Sequence, residues 1–241
     1  FWSRTLVDAV RSRENDGLAS FGASSAKLHL QTLWNVRYDD GMPLDALRTV
    51  LAEVAQLQAG YPFRTTVEEV PDGDVHVIQM KDVSPDLGVE WSGVIRTRLA
   101  GRKQPDWIVD GDILFAAKGA RFYAACVAAA LPNAVCVPAF FHLRVRREAA
   151  LDPDFLAWQI NQMPCQRQLL QAAEGSSLLS IRRAVLEQLV LAVPPIAEQR
   201  RIVALAGLAV QERLALQRLI HNREQQLQAI AEDLGAEAGS H

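Results

Sequence analysis

The sequence is short of several things, and each shortage closes off a class of function. It has only three cysteines, Cys126, Cys136 and Cys165. They are odd in number and widely spaced, which suits neither a disulfide framework nor a zinc site and points to a reducing, cytoplasmic setting. No apolar run approaches the roughly 18–20 residues that cross a bilayer. The opening "FWSRTLVDAVRSR" carries neither the apolar core nor the small-residue cleavage site of a secretory signal. Nor does one sign of charge dominate: 25 basic and 28 acidic residues leave a net charge of −3. That balance does not favour a nucleic-acid binder, so such a reading needs local support.

Catalytic signatures are missing as well. There is no Gly-x-Ser-x-Gly, no His-Glu-x-x-His, no phosphate-cradling Gly-rich loop, and no Asn-Pro-Pro-Tyr-like segment of the kind used to methylate DNA. The histidines at 29, 76, 142, 221 and 241 show no ligand spacing, and His76 reads as a packed side chain on a strand. Ser24 and Lys27 in "SSAK" form a Ser-x-x-Lys pair without the partner motifs that would make it a nucleophile. "PDGDVHVIQMK" has the outline of a nuclease Pro-Asp…Gln-x-Lys signature, which requires Asp, Gln and Lys to meet at one magnesium ion. Here Asp74 and Gln79 lie along one expected strand, roughly 16 Å apart. A nuclease would show magnesium-dependent cutting abolished by Lys81→Ala. The expectation is a non-catalytic chain with no metal or cofactor of its own.

What is present is a core and an uneven charge. Hydrophobic residues make up 49% and charged residues 22%, ordinary for a globular domain. From Tyr61 to Glu90 there are two basic and seven acidic residues, and from Trp91 to Ala150 nine basic and four acidic. The second stretch would give an otherwise neutral protein one basic face.

The patterning predicts an α/β (α+β) organisation in four parts. Residues 1–43 are polar and Gly/Ser-bearing, an N-terminal extension expected to be partly flexible. Residues 44–194 form a globular domain of mixed strands and short helices. Leu44, Leu47, Leu51 and Val54 are spaced for an amphipathic helix that passes into a strand before Gly60. Strands are expected at "DVHVIQMKDV", at Ile113–Ala116 after an Asp110-Gly111 turn, and on both sides of a Pro-Asn turn in "ACVAAALPNAVCVPAFFHLRV". Asp152 and Pro153 open a helix as N-cap and first residue, Pro164 splits it, and Gly175 is its expected C-cap. Ser180 is expected to cap the short helix in "SIRRAVLEQL", ahead of strand "VLAV". Residues 195–235 then form one long helix, reaching roughly 55–60 Å, and 236–241 a flexible tail. Ile202, Leu205, Leu208, Leu216, Leu219, Leu227, Ile230 and Leu234 make its apolar stripe, interrupted by Glu212 and Arg223 and therefore no clean heptad zipper. A helix this long would overrun its own domain, so it is expected to pair with another helix.

Four segments, in this order, resemble the specificity (S) subunit of type I restriction–modification systems: "EVAQLQAGYPF", "VIQMKDV", "IVDGDILFAAKG", and "EGSS" through "LEQLVLAVPPIAEQRRIV". The resemblance spans Leu44 to Leu234. It implies a target-recognition domain (44–194) that reads one half of a bipartite DNA site, joined to a spacer helix (195–235). It also implies that catalysis lies elsewhere: partner methyltransferase (M) subunits carry S-adenosylmethionine, and in some systems a restriction (R) subunit joins. Full-length members have two such domains and two helices, whereas this chain has one of each. Two forms stay open: a half-subunit that pairs as a homodimer, and the specificity portion of a fused methyltransferase or restriction enzyme. A reading of another class, a protein-interaction scaffold built on the long helix, predicts oligomers with no DNA preference.

Under the specificity reading, expected DNA contacts are Arg96, Arg98, Arg102, Lys103 and Gln104 in "IRTRLAGRKQ", Lys81, Lys118 and Arg121 around the neighbouring strands, Ser176, and Arg182 with Arg183. Gln104 and Lys81 are the expected base readers, and the cations the phosphate contacts. Ile202, Leu205, Leu216, Leu219 and Leu227 are expected to serve helix pairing, and Glu198 with Gln199 to face the methyltransferase.

Overall fold

The computed structural model describes residues 46–99, 104–175 and 178–238. The expected N-terminal extension, with Arg102, Lys103 and Ser176, lies outside the described residues. The chain begins with strand β1 (Leu47–Val50), one helical turn α1 (Leu51–Val54) and strand β2 (Ala55–Ala59). This corrects the amphipathic helix expected there. Leu47 pairs with Val193 and Val50 with Val190 in an antiparallel ribbon with β11 (Val190–Val193), so tertiary pairing overrides the three-and-four spacing. The expected strand before Gly60 is present as β2.

Strand β3 (Val75–Ile78) is followed by a 3-10 turn at Met80–Asp82 and the short hairpin β4 (Val83–Ser84) and β5 (Gly88–Val89). Strands β6 (Ile95–Thr97), β7 (Ile113–Ala116), β8 (Tyr123–Cys126), β9 (Ala134–Cys136) and β10 (Phe140–Val145) complete the sheets. Four strands in the order β2-β10-β7-β8 make an antiparallel sheet. A second sheet has the order β6-β3-β9, antiparallel on one side of β3 and parallel on the other. Strand β7 explains why "ILFA" reads as an unbroken apolar run. Side chains alternate along a strand: Ile113 and Phe115 enter a core shared with the helices, while Leu114 and Ala116 enter a second core toward the smaller sheet. Both faces are covered, so no polar alternation survives.

Helices α2 (Pro153–Ile160) and α3 (Met163–Gln171) close the first core with Phe155, Leu156, Ile160 and Leu169. Asp152 caps α2 as expected, its Oδ1 accepting from Asp154 N (2.9 Å) and Phe155 N (3.2 Å). The split falls just before Pro164, which sits in the first turn of α3 where its missing N–H costs nothing. Two expected caps are corrected. Gly175 lies beyond α3, at φ +115° in a loop closed by a Glu174–Ser180 bridge. Ser180 serves that bridge and does not cap helix α4 (Arg183–Glu187), which has no side-chain cap. After β11, helix α5 runs for 43 residues, Ile196–Ala238, through Gly235 and into the expected tail. At 1.5 Å per residue it is about 65 Å long.

Candidate nucleic-acid interface

The β7–β8 hairpin pairs Ala116 with Tyr123, leaving a loop that holds Lys118, Gly119 and Arg121. Gly119, at φ +135°, takes the left-handed turn that glycine allows. The loop is fixed to the chain before α4: Gly119 N donates to Leu179 O (3.2 Å) and Ile181 N to Ala117 O (2.9 Å). Lys118 is thereby brought beside the Ser180–Arg182 stretch. Lys118 and Arg121 are exposed, and neither has an acidic partner within ion-pair range among the described residues. Arg182 and Arg183 are differently placed: Arg182 pairs with Glu174 and Arg183 with Glu187 (2.7 Å). Both are exposed pairs, and each would have to open before its guanidinium could meet a phosphate.

A second group lies on the smaller sheet. Arg96, on β6 opposite His76, is exposed and unpaired among the described residues, whereas Arg98 is held 3.0 Å from Asp72. Lys81 is exposed on the 3-10 turn. Its neighbours Gln79 and Asp82 form a reciprocal capping box, with Asp82 Oδ2 accepting from Gln79 N at 2.8 Å. That gives the "QMKD" segment a structural purpose, and it leaves Asp74 and Gln79 at opposite ends of β3. His76 is half-buried, its Nδ1 2.9 Å from Pro132 O. Gln104 is exposed beside a small cleft lined by Gly60, Tyr61, Asp106 and His142. The expected contacts therefore fall into two groups, one around the β7–β8 loop and one around the smaller sheet. Among the described residues, Lys81, Arg96, Lys118 and Arg121 are the unpaired cations of the set.

Sequence reasoning missed a polar centre on the larger sheet. Leu143 pairs with Ile113, so the next residues along, Arg144 and Asp112, meet across the strands. Arg144 donates to both carboxylate oxygens at 2.7 Å, and Val109 N donates to Oδ2 at 2.7 Å. His142 Nε2 is 2.7 Å from the same oxygen, at ion-pair distance without hydrogen-bond alignment. Asp112 is 1% exposed. Burial pushes its carboxyl up, but the Arg144 guanidinium and His142 outweigh it and hold the group at about 2. Arg144 also donates to Trp107 O (2.9 Å), tying the irregular segment that follows Gln104 to the sheet. The Asp of "GDIL" is thus a buried clamp that positions a loop. The available signal was an acid opening a fully apolar strand, which demands a buried partner.

Helix α5 has two faces. Gln199 is fully buried. Its Oε1 accepts from Asp152 N (2.8 Å), and its Nε2 donates to Ala150 O (2.9 Å) and Pro194 O (2.7 Å). This corrects its expected role facing a methyltransferase, because it is the peg that mounts the helix on its own domain. Ile202 and Val203 pack against the first core, so Ile202 is in part a core residue. Glu198 pairs with Arg201 at 3.3 Å. Arg213 reaches the β4–β5 hairpin through Asp86 (2.6 Å), and Leu214 is the last half-buried residue of the attached segment. From Ala215 to Leu234 every side chain described is exposed, so about 30 Å of helix stands clear of the domain. Leu205, Leu208, Leu216, Leu219, Leu227, Ile230 and Leu234 are 54–67% exposed.

No family model matches the chain, and no curated protein matches it. Solved structures do. A chain from a study described as "Structural basis underlying complex assembly and conformational transition of the type I R-M system" aligns over 93% of this protein and 52% of its own length, at 17% identity and a TM-score of 0.57. The HsdS subunit from Thermoanaerobacter tengcongensis aligns over 77% of this protein and 47% of its own length, at 23% identity and a TM-score of 0.54. The S subunit of the type I restriction–modification system from M. genitalium is a weaker match, at 16% identity and a TM-score of 0.44. The likeness establishes the fold: mixed-strand sheets carrying a long C-terminal helix. This chain spans about half the length of the structures it matches. Among the described residues, no helix is long and apolar enough to cross a membrane, and no group of three or more His, Cys, Asp or Glu side chains could hold a metal ion.

Proposed function

We propose that the chain is a DNA-specificity subunit: residues 44–194 read one half of a bipartite duplex site, and α5 is the spacer that pairs with a second helix. In this reading the protein is not itself an enzyme. It directs adenine methyltransferase subunits, which bring S-adenosylmethionine, and in a restriction system an R subunit, to the site. The observation that carries the reading is the fold likeness over 93% of the chain, domain and long helix together, to a component of a type I system. Two features support it: exposed cations, unpaired among the described residues, on loops and an edge of the sheets, as phosphate contact requires, and a helix projecting with its leucines uncovered. Those leucines also suit the scaffold reading, which differs in predicting no DNA preference.

The test is selection from a randomised duplex library, with a methyltransferase partner, at two salt concentrations. Enrichment of a split motif is expected, with binding that weakens as salt rises. A Lys118→Glu/Arg121→Glu variant should lose roughly tenfold or more in affinity, while charge reversal at the already paired Arg183 should cost much less. No enrichment, with or without the partner, would overturn the proposal in favour of the scaffold.

A further inference from the structure

Among the described residues, polar side chains of α5 reach its domain at two points, and the two belong to different cores. Gln199 is pegged to Ala150, Asp152 and Pro194 beside α2, which closes the first core. About 21 Å further along the axis, Arg213 meets Asp86 at the tip of the β4–β5 hairpin (2.6 Å). That hairpin is built on the second core. Val83 is buried in it and Val89 packs against it, Tyr123 Oη donates to Val83 O (3.2 Å), and Glu90 N donates to Asp82 O (2.8 Å). Asp86 is itself oriented, its N–H donating to Ser84 Oγ (3.3 Å). The hairpin is therefore a fixed post, and the helix crosses to it from the other core.

Between the two points the helix is seated thinly. Ile202 and Val203 pack on the first core, but Ala206, Val210 and Leu214 are only half-buried. A helix held firmly at its start and lightly afterwards can pivot. Arg213 is placed to oppose that motion, not to serve its own helix. The positions three and four away from it are Ala209, Val210, Leu216 and Gln217, none of them acidic. Arg201 and Arg223, by contrast, bond within the helix, to Glu198 (3.3 Å) and Gln226 (2.9 Å). Leverage makes one contact matter. Leu234 lies about 53 Å from Gln199, about 2.5 times as far as Arg213 does. A slip of about 1.4 Å at the hairpin therefore moves the far end by about 3.4 Å, the rise of one base pair.

We propose that Asp86 and Arg213 are positioning residues. Together they brace α5 against the hairpin and fix the angle at which it leaves the domain, and through that angle the spacing between the two halves of the DNA site. The second step rests on the reading of α5 as the spacer of a specificity subunit; the brace itself does not. An exposed ion pair biases an equilibrium only about two- to fivefold, so this one selects an angle without holding the fold together.

The experiment uses the full chain as wild type, Arg213→Glu, Asp86→Arg and the double exchange. Spin labels at the exposed positions Ser92→Cys and Ala229→Cys, in a Cys126→Ser background and diluted into unlabelled chain, report the distance from domain to helix within one molecule. Wild type is expected to give one narrow distance. Each single reversal should broaden it or shift it by about 3 Å or more, and the double exchange should restore it. Unchanged melting of all four proteins separates an angular role from a merely structural one. Selection from the randomised library, with the methyltransferase partner, then reads the spacing. Each single reversal should keep the half-site bases and about halve the share of the favoured spacing, with neighbouring spacings gaining. Distances that the reversals leave unchanged, or that the exchange fails to restore, would overturn the brace. Altered distances with an unchanged spacing would overturn its part in site selection. A wild type that enriches no motif would overturn the specificity reading instead, and the distances alone would still decide the brace.

Discussion

Replacing Gln199 by leucine tests how the long helix is held. The volume is nearly unchanged, so the perturbation is the loss of three hydrogen bonds at 2.7–2.9 Å from a fully buried amide. A neutral bond contributes about 1 kcal/mol net, and a buried group left without a partner costs about 1–3 kcal/mol. The three are not equal. Ala150 is exposed and its carbonyl can turn to water, whereas Pro194 is buried and Asp152 N belongs to the capped start of α2. Two strandings and one exchange with solvent give a loss of about 3 kcal/mol. Urea denaturation of wild type and Gln199→Leu measures it directly, with Gln228→Leu as a control. Gln228 is exposed on the projecting segment and bonds only Glu232, so its replacement should cost under about 0.5 kcal/mol. A Gln199→Leu loss no larger than that of the control would refute the mount.

Two further outcomes follow from buried groups. Asp112 is held at about 2 against an ordinary 3.8. A depressed carboxylate lends stability above its unfolded pKa and loses it as pH falls through the folded one, so about 2 kcal/mol should vanish between roughly pH 4 and pH 2. Acid denaturation of Asp112→Asn should be correspondingly flatter over that window, and parallel curves for the two proteins would contradict the assignment. Glycine positions separate space from conformation: a Cβ at Gly60 would lie 2.2 Å from Val137 O and 2.7 Å from Cys136 O, both backbone. Gly60→Ala should therefore lower stability by about 2 kcal/mol or more. Gly207→Ala, in a helix with nothing within 4 Å, should raise it by about 0.5–1 kcal/mol; thermal melts of the pair check both.

The parts of the fold that the sequence revealed are those where one local signal decides. Asp152-Pro153 is a cap and a first residue in any context. "ILFA" between turn residues can only be a buried strand or helix segment, and its length and flanks favour strand. The long helix announced itself by 39 residues, Ile196 to Leu234, without proline. What failed depended on distant pairing. Leu47 to Val54 has helical spacing, yet β11, some 140 residues later, claims its first half. Ser180 is a good N-cap by type, but Glu174 had already taken its backbone N–H and carbonyl. The candidate site was legible as a set of basic loops and illegible as geometry, because ion pairs such as Arg98–Asp72 join residues that composition counts separately. Asp112 was passed over although an acid opening a fully apolar strand signals a buried partner, whereas nothing in the sequence distinguishes Gln199, bonded to three backbone groups, from a glutamine in water.

That difference divides α5 in a way its sequence does not show. Over its first five turns the helix is held by polar contacts that only one arrangement satisfies, Gln199 at the start and Arg213–Asp86 near the end. Beyond Leu214 it presents exposed apolar side chains, Leu216, Leu219, Leu227, Ile230 and Leu234, that many helices could meet at modest specificity. The Gln199 mount and the leucines beyond Leu214 share no side chain, so their energies should add. A change at Gln199 should alter stability and leave association untouched. Replacing Leu219 and Leu227 by glutamate should alter association with a partner helix and leave stability untouched. If either change moves both quantities, the helix is not a rigid bracket between domain and partner, and mounting and pairing are one coupled event.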